Sequence, residues 1–160
     1  MEITMKPVAY VEAKRLQAQD DFWGNEVSVI RLVDTVQPEA LQGLSGFSHV
    51  EILFLFHQVD EQHLTYGARH PRNNPAWPKL GIFAQRAKAR PNRIGSTICR
   101  LLSVDGNALR VAELDAIDGT PVLDIKPVMQ EFLPRQAIIQ PQWSTELMQD
   151  YWSEADAGKP

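Results

Sequence analysis

A single cysteine, Cys99, is the only thiol in the chain, so no intrachain disulfide can form, and a cytoplasmic, reducing location is expected. The opening Met-Glu-Ile-Thr-Met-Lys lacks the basic start and apolar core of a secretory signal. Long apolar runs are missing too: Val50 to Phe56 is far too short, and is interrupted by Glu51, so no segment is expected to lie in a membrane. Four histidines and one cysteine show no metal-ligand spacing, and no metal is expected. There is no internal repeat, low-complexity tract or linker, and 160 residues are too few for two comfortable domains, so one domain, 1–160, is expected. With 44% hydrophobic and 22% charged residues the chain falls in the ordinary globular class.

Acidic residues are absent from one long stretch. Between Gln62 and Val104 there is no Asp or Glu, while Arg69, Arg72, Lys79, Arg86, Lys88, Arg90, Arg93 and Arg100 supply half of the 16 basic residues. That segment carries +8; the other 8 basic residues against 20 acidic ones give −12, and the sum is the net −4. The negative total argues against a protein that coats nucleic acid non-specifically, whereas the local excess asks for an anion. Two readings stay open: solvated loop charges whose acidic partners come from elsewhere in the fold, or a phosphate-contacting surface whose affinity falls steeply with salt.

Val8 to Tyr10 and Glu26 to Val33 read as strands, the second following a Gly24-Asn25 turn. Pro38 can open a short helix, Glu39 to Gln42, that Gly43 would close. His49 to Gln58 suits a buried strand, Tyr66 to Pro78 has to be irregular, and Leu80 to Ala84 reads as a further strand. Ser96 to Val104 and Ala108 to Leu114 flank Asp105-Gly106-Asn107, a strong hairpin signal. Ser144 can cap a helix from Thr145 to Trp152, with Trp143 and Met148 as a hydrophobic staple, and the tail Ser153 to Pro160 is expected to fray.

Two segments, Gly81 to Gly95 and Asp115 to Pro127, concentrate Arg, Asn, Asp, Gly and Pro between apolar runs, the composition of binding loops on an apolar scaffold. With Gly46-Phe47-Ser48-His49 and Phe56-His57-Gln58 they resemble, from about Ala9 to Pro127, the TrmO (TsaA-like, YaeB-like) family of S-adenosylmethionine-dependent tRNA methyltransferases. The resemblance implies a mainly β protein: a small closed or nearly closed β-barrel with a few short flanking helices and a C-terminal helix. It implies S-adenosylmethionine as methyl donor and a homodimer. The substrate it implies is the tRNA anticodon loop, methylated on the exocyclic nitrogen of threonylcarbamoyladenosine.

It also carries a cofactor pocket onto His57, Gln58, Arg86, Ser96, Ala112, Glu113, Leu114 and Asp115. By their chemistry, Asp115 can accept ribose hydroxyls or pair with an ammonium, and Arg86 can grip a carboxylate through two parallel bonds. Their bland alternatives are a turn carboxylate for Asp115 and, for Arg86, a salt bridge to a carboxylate between Asp115 and Asp124. His57, at the end of its strand, is either a ligand contact or a satisfied structural histidine.

Asp118-Gly119-Thr120-Pro121 and Asp124-Ile125-Lys126-Pro127 read as two stiffened turns that hold their carboxylates. Asp118 and Asp124 are therefore the candidate catalytic bases, or else they satisfy turn amides. Arg90, Asn92 and Arg93 suit substrate: Asn92 a base edge or amide, the arginines a phosphate or a threonylcarbamoyl carboxylate. Trp77, between Pro75 and Pro78, either stacks on an unpaired base or pins its loop to the barrel.

The chain departs from the family at Ala87-Lys88-Ala89, at Arg93 and at Val128, and Asp20 to Asn25 fills the place of an N-terminal cofactor contact. The further C-terminal domain of longer relatives is not found in these residues. A methyltransferase on a small or protein acceptor, and a non-catalytic S-adenosylmethionine-binding regulatory module, therefore remain as alternatives.

Overall fold

Six antiparallel strands close into a barrel in the computed structural model, which describes residues 1–154. They are β1 (Ala9–Glu12), β2 (Val27–Leu32), β3 (His49–Leu55), β6 (Ile94–Asp105), β7 (Ala108–Ala112) and β8 (Pro121–Pro127). The order around the barrel is β1-β2-β7-β6-β3-β8, and β8 closes the ring by pairing Val122 with Ala9. The remaining strands, β4 (Ala68–Arg69) and β5 (Leu80–Gly81), form a two-residue ribbon on the basic segment.

Period-two alternation drives the closure. Val50, Ile52 and Phe54 of β3 point inward and are almost fully buried, while His49, Glu51, Leu53 and Leu55 alternate with them on the partly exposed face. Opposite them, β6 turns Gly95, Thr97 and Cys99 inward. Gly95 is required where it faces Phe54, because a Cβ there would lie 2.5 Å from the phenyl ring. Ile30 and Leu32, Leu109 and Val111, and Val122 complete the core from the other strands.

Several sequence expectations shift. The first three strands run Ala9–Glu12, Val27–Leu32 and His49–Leu55, within a few residues of the expected bounds. Leu80 to Ala84 is a strand only for two residues; Ile82–Ala84 then tighten into a 3₁₀ turn that buries Ile82 and leads into the buried Gln85. The short helix expected after Pro38 is likewise a 3₁₀ turn, Pro38–Leu41, with Gly43 beyond it at φ 85°. In the expected hairpin turn only Gly106 takes a positive φ, 57°.

Asp124-Ile125-Lys126-Pro127 is not a turn but the second half of β8: its β-favouring neighbours extend it, and its prolines sit at the strand ends where they cost least. The helix α1 covers Gln142–Leu147, with Pro141 as the N-cap; Ser144 lies inside and donates its hydroxyl to the Pro141 carbonyl at 2.7 Å. Of the tail expected to fray, Ser153 is held by its amide on the Asp150 carbonyl at 3.2 Å, and 155–160 lie outside the described residues. Among the described residues no helix is long and apolar enough to cross a membrane.

Candidate functional site

The site is built where β7 ends beside β6. β7 pairs with β6 through Arg100 and Ala112, and the next residue, Glu113, adopts φ 66°, a left-handed conformation that costs a non-glycine residue of order 1 kcal/mol. This break sends Leu114 into the core, fully buried, and leaves the half-buried Asp115 against β6. Strain of this kind collects where a side chain has to be aimed.

Asp115 is held from both sides. Thr97 of β6 donates its hydroxyl to Oδ1, and Tyr151, 36 residues downstream, donates to Oδ2. Both donors are neutral, so among the described residues no ion pair cancels the carboxylate's charge. Burial pushes the Tyr151 phenol well above its ordinary range and the Asp115 carboxylate adds to the rise, while Arg86 and Arg72 pull the other way. Burial likewise raises the pKa of Cys99, helped by Asp115 and Glu113, so this thiol stays protonated and inert.

Arg86 is exposed and donates to the carbonyl of Ser96, the residue next to Thr97 on β6. The salt bridge to the Asp115–Asp124 block is not formed, and the guanidinium keeps its charge and most of its donors available. The Ser96 hydroxyl itself turns to Glu51 Oε1, 2.6 Å away on β3. Ala112 and Leu114 are buried in the wall. Arg86, Ser96 and residues 112–115 are thus brought into one neighbourhood.

His57 and Gln58 are not among the contacts of Asp115. They occupy the turn after β3, the His57 amide bonding the Leu55 carbonyl at 2.8 Å. That turn packs on the basic loop instead, through the Phe56 amide on the Arg93 carbonyl and the Arg93 guanidinium on the Val59 carbonyl, at 2.8 and 3.0 Å. Arg93 also reaches Glu61 at 3.3 Å and Arg90 bonds the Gln85 carbonyl at 3.0 Å, so both arginines brace the loop; Asn92 is exposed at its tip.

Of the 8 basic residues of the acid-free segment only Arg72 and Arg93 form ion pairs among the described residues, which leaves 8 − 2 = 6 cations uncompensated. The reading of distant acidic partners holds for two of them and fails for the majority. Trp77 is tied to α1 rather than to the barrel: its indole N–H donates to Glu146 at 3.1 Å.

Among the described residues the two candidate bases make no hydrogen bond to Arg86, Thr97 or Asp115, although Asp124 lies across Leu53 of β3 from Ser96. Asp118, exposed in its turn, accepts the Ala13 amide at 2.9 Å and borders a groove with Lys14, Val29 and Arg110. Asp124 accepts the Ile125 amide at 2.9 Å, pairs with Lys126, and borders a different groove with Leu41 and Phe47. Neither groove includes Arg86 or Asp115. No group of three or more His, Cys, Asp or Glu that could hold a metal occurs among the described residues.

Sequence reasoning missed Thr97 and Tyr151. Thr97 sits beside Ser96 and was findable as its strand neighbour. For Tyr151 no local pattern exists, since its partner is set by the tertiary fold.

The comparisons agree with this architecture. Residues 8–132 match the family described as tRNA-methyltransferase O N-terminal domain. A mouse protein named tRNA (adenine(37)-N6)-methyltransferase is 48% identical over 95 residues, covering 58% of this chain and 21% of that protein. A probable S-adenosyl-L-methionine-binding protein of Methanothermobacter thermautotrophicus is 35% identical over 136 residues, 82% of this chain and 93% of its own length. The crystal structure of TrmO from Pseudomonas aeruginosa superposes with a TM-score of 0.72 at 30% identity, covering 89% of this chain and 62% of that one. The aligned part is thus about a fifth of the mouse relative's length. The chain belongs to the family of the tRNA-methyltransferase O N-terminal domain.

Proposed function

We propose that the chain binds S-adenosylmethionine beside Arg86 and Asp115 and methylates N6 of threonylcarbamoyladenosine beside the tRNA anticodon, in the cytoplasm. The observation that carries this reading is that two opposite charges, neither in an ion pair among the described residues, dock against adjacent residues of β6: Arg86 on the Ser96 carbonyl, Asp115 on the Thr97 hydroxyl. A methionine-derived zwitterion with a ribose demands such a cradle. Arg86 takes the carboxylate, and Asp115 keeps lone pairs for ribose hydroxyls or the ammonium. The names of the mouse and Methanothermobacter relatives point the same way.

Bound there, S-adenosylmethionine would supply an electrophilic methyl group for N6, the carbon–sulfur bond breaking as the carbon–nitrogen bond forms and the N6 proton passing to a base. Most of the acceleration then comes from positioning. Asn92 at the loop tip, beside Arg90 and Arg93, meets the acceptor, and the uncompensated cations other than Arg86 are left for phosphate. Asp118 and Asp124 are the carboxylates to test as proton acceptors, although each already accepts a backbone amide. A second copy would cover the exposed apolar arm after β8, where Phe132 and Ile139 are 86% and 94% exposed, and a homodimer is part of the proposal.

Because Arg90 and Arg93 are partly engaged within the protein, methyl transfer to another acceptor is the second reading. The discriminating experiment incubates the protein with labelled S-adenosylmethionine and bulk tRNA from cells lacking this gene. Label on threonylcarbamoyladenosine is expected; label only on unmodified adenosine, or nowhere, contradicts the proposal.

A further inference from the structure

The segment from Met148 to Ser153 returns to the barrel as a strap and is tied down by Phe22 to Gly24, within the stretch where the family's N-terminal cofactor contact is missing. The Phe22 and Trp23 amides donate to the Asp150 and Tyr151 carbonyls at 3.1 and 2.8 Å. Gly24 lies directly beneath: a Cβ on it would stand 2.0 Å from the Trp152 carbonyl oxygen, so only glycine admits the strap at this height. That stretch is itself anchored. Trp23 is buried under the Arg15 guanidinium, 3.9 Å from its ring centroid, and Arg15 pairs with Glu26 at 2.8 Å. Asp21 grips Arg72 through two bonds of 2.8 and 2.7 Å. The strap's one polar delivery to the site is the Tyr151 hydroxyl on Asp115.

We infer that Tyr151 is a positioning residue for the methyl donor, acting through Asp115; this rests on the reading that Asp115 holds the donor. Each carboxylate oxygen accepts two hydrogen bonds, so Thr97 and Tyr151 take one lone pair on each and leave one on each for the ligand. Fixing both oxygens beforehand removes the side chain's rotational freedom before the donor arrives, which raises affinity without adding a contact. Burial keeps the phenol protonated, so it remains a donor. A plug meant to be displaced by the ligand would not be tied by two amide bonds and a glycine-only approach.

Calorimetric titration of S-adenosylmethionine into the full chain tests this. Tyr151→Phe keeps the ring and removes only the hydroxyl; the dissociation constant is expected to rise roughly tenfold, the scale of one hydrogen bond to a charged group. In methyl-transfer assays the loss should fall on KM for the donor rather than on kcat. Gly24→Ala, which shifts the strap and keeps the phenol, should weaken binding in the same direction. In an Asp115→Ala background Tyr151→Phe should add nothing, because the two act as one unit. An unchanged or lower dissociation constant in Tyr151→Phe, or additive effects of the two substitutions, overturns the inference. Absence of uptake by the wild-type chain is a distinct result and defeats the Asp115 reading itself.

Discussion

Asp115 and Asp118 stand three residues apart in one segment and meet opposite surroundings. Asp115 is half-buried and held by two side-chain hydroxyls from distant parts of the chain; Asp118 is exposed and satisfies the amide of Ala13. Hydroxyls brought from afar orient a carboxylate and leave it capacity for a ligand, whereas a backbone amide simply secures a turn. On this ground we propose the first as the residue that holds the donor, while the second is tied to its turn and stays a carboxylate to test as a proton acceptor, although their sequence context looks alike.

Deleting each carboxylate separates the two surroundings by the largest expected effect. Asp115→Ala should weaken S-adenosylmethionine binding by roughly a hundredfold, the combined scale of two charge-assisted bonds, and Arg86→Ala should do nearly as much, both read by calorimetry. Alkaline titration sharpens it next. Tyr151 has a folded pKa raised above its unfolded value of about 10, so the folded state holds the proton longer, and the associated stability is complete below about pH 10 and lost as pH rises through the window above it. Thermal melts should show this alkaline decline, up to about 1.4 kcal/mol per pH unit, and Tyr151→Phe should abolish that component.

Asp118→Ala should cost about 1 kcal/mol of stability in chemical denaturation, by orphaning the Ala13 amide, and leave the dissociation constant within about twofold. The smallest effect is expected at the exposed Asp124–Lys126 pair: Lys126→Ala should leave donor affinity within about twofold.

How much of this was legible beforehand follows from the range of the interactions. Alternating Val50, Ile52 and Phe54, and the turn at Gly106, are local signals, and the strands they mark came within a few residues of their places. Pro127 misled because proline reads as a turn residue unless one knows that it ends a strand. The grouping of Arg86, Ser96 and Asp115 came through family resemblance, and the fold docks Arg86 and Asp115 against neighbouring residues of β6. Their support did not: Thr97 is 18 residues from Asp115 and Tyr151 36, and nothing in the local composition links them. The charge asymmetry was visible, but its meaning depended on which cations find acids, and Glu61 and Asp21 were found only by folding.

The most direct test of the central claim is a calorimetric titration of S-adenosylmethionine into the wild-type, Asp115→Ala and Asp118→Ala proteins side by side. Saturable uptake by the wild type and Asp118→Ala, with roughly hundredfold weaker uptake by Asp115→Ala, is the predicted result. Equal binding by all three, or none by the wild type, would contradict the account.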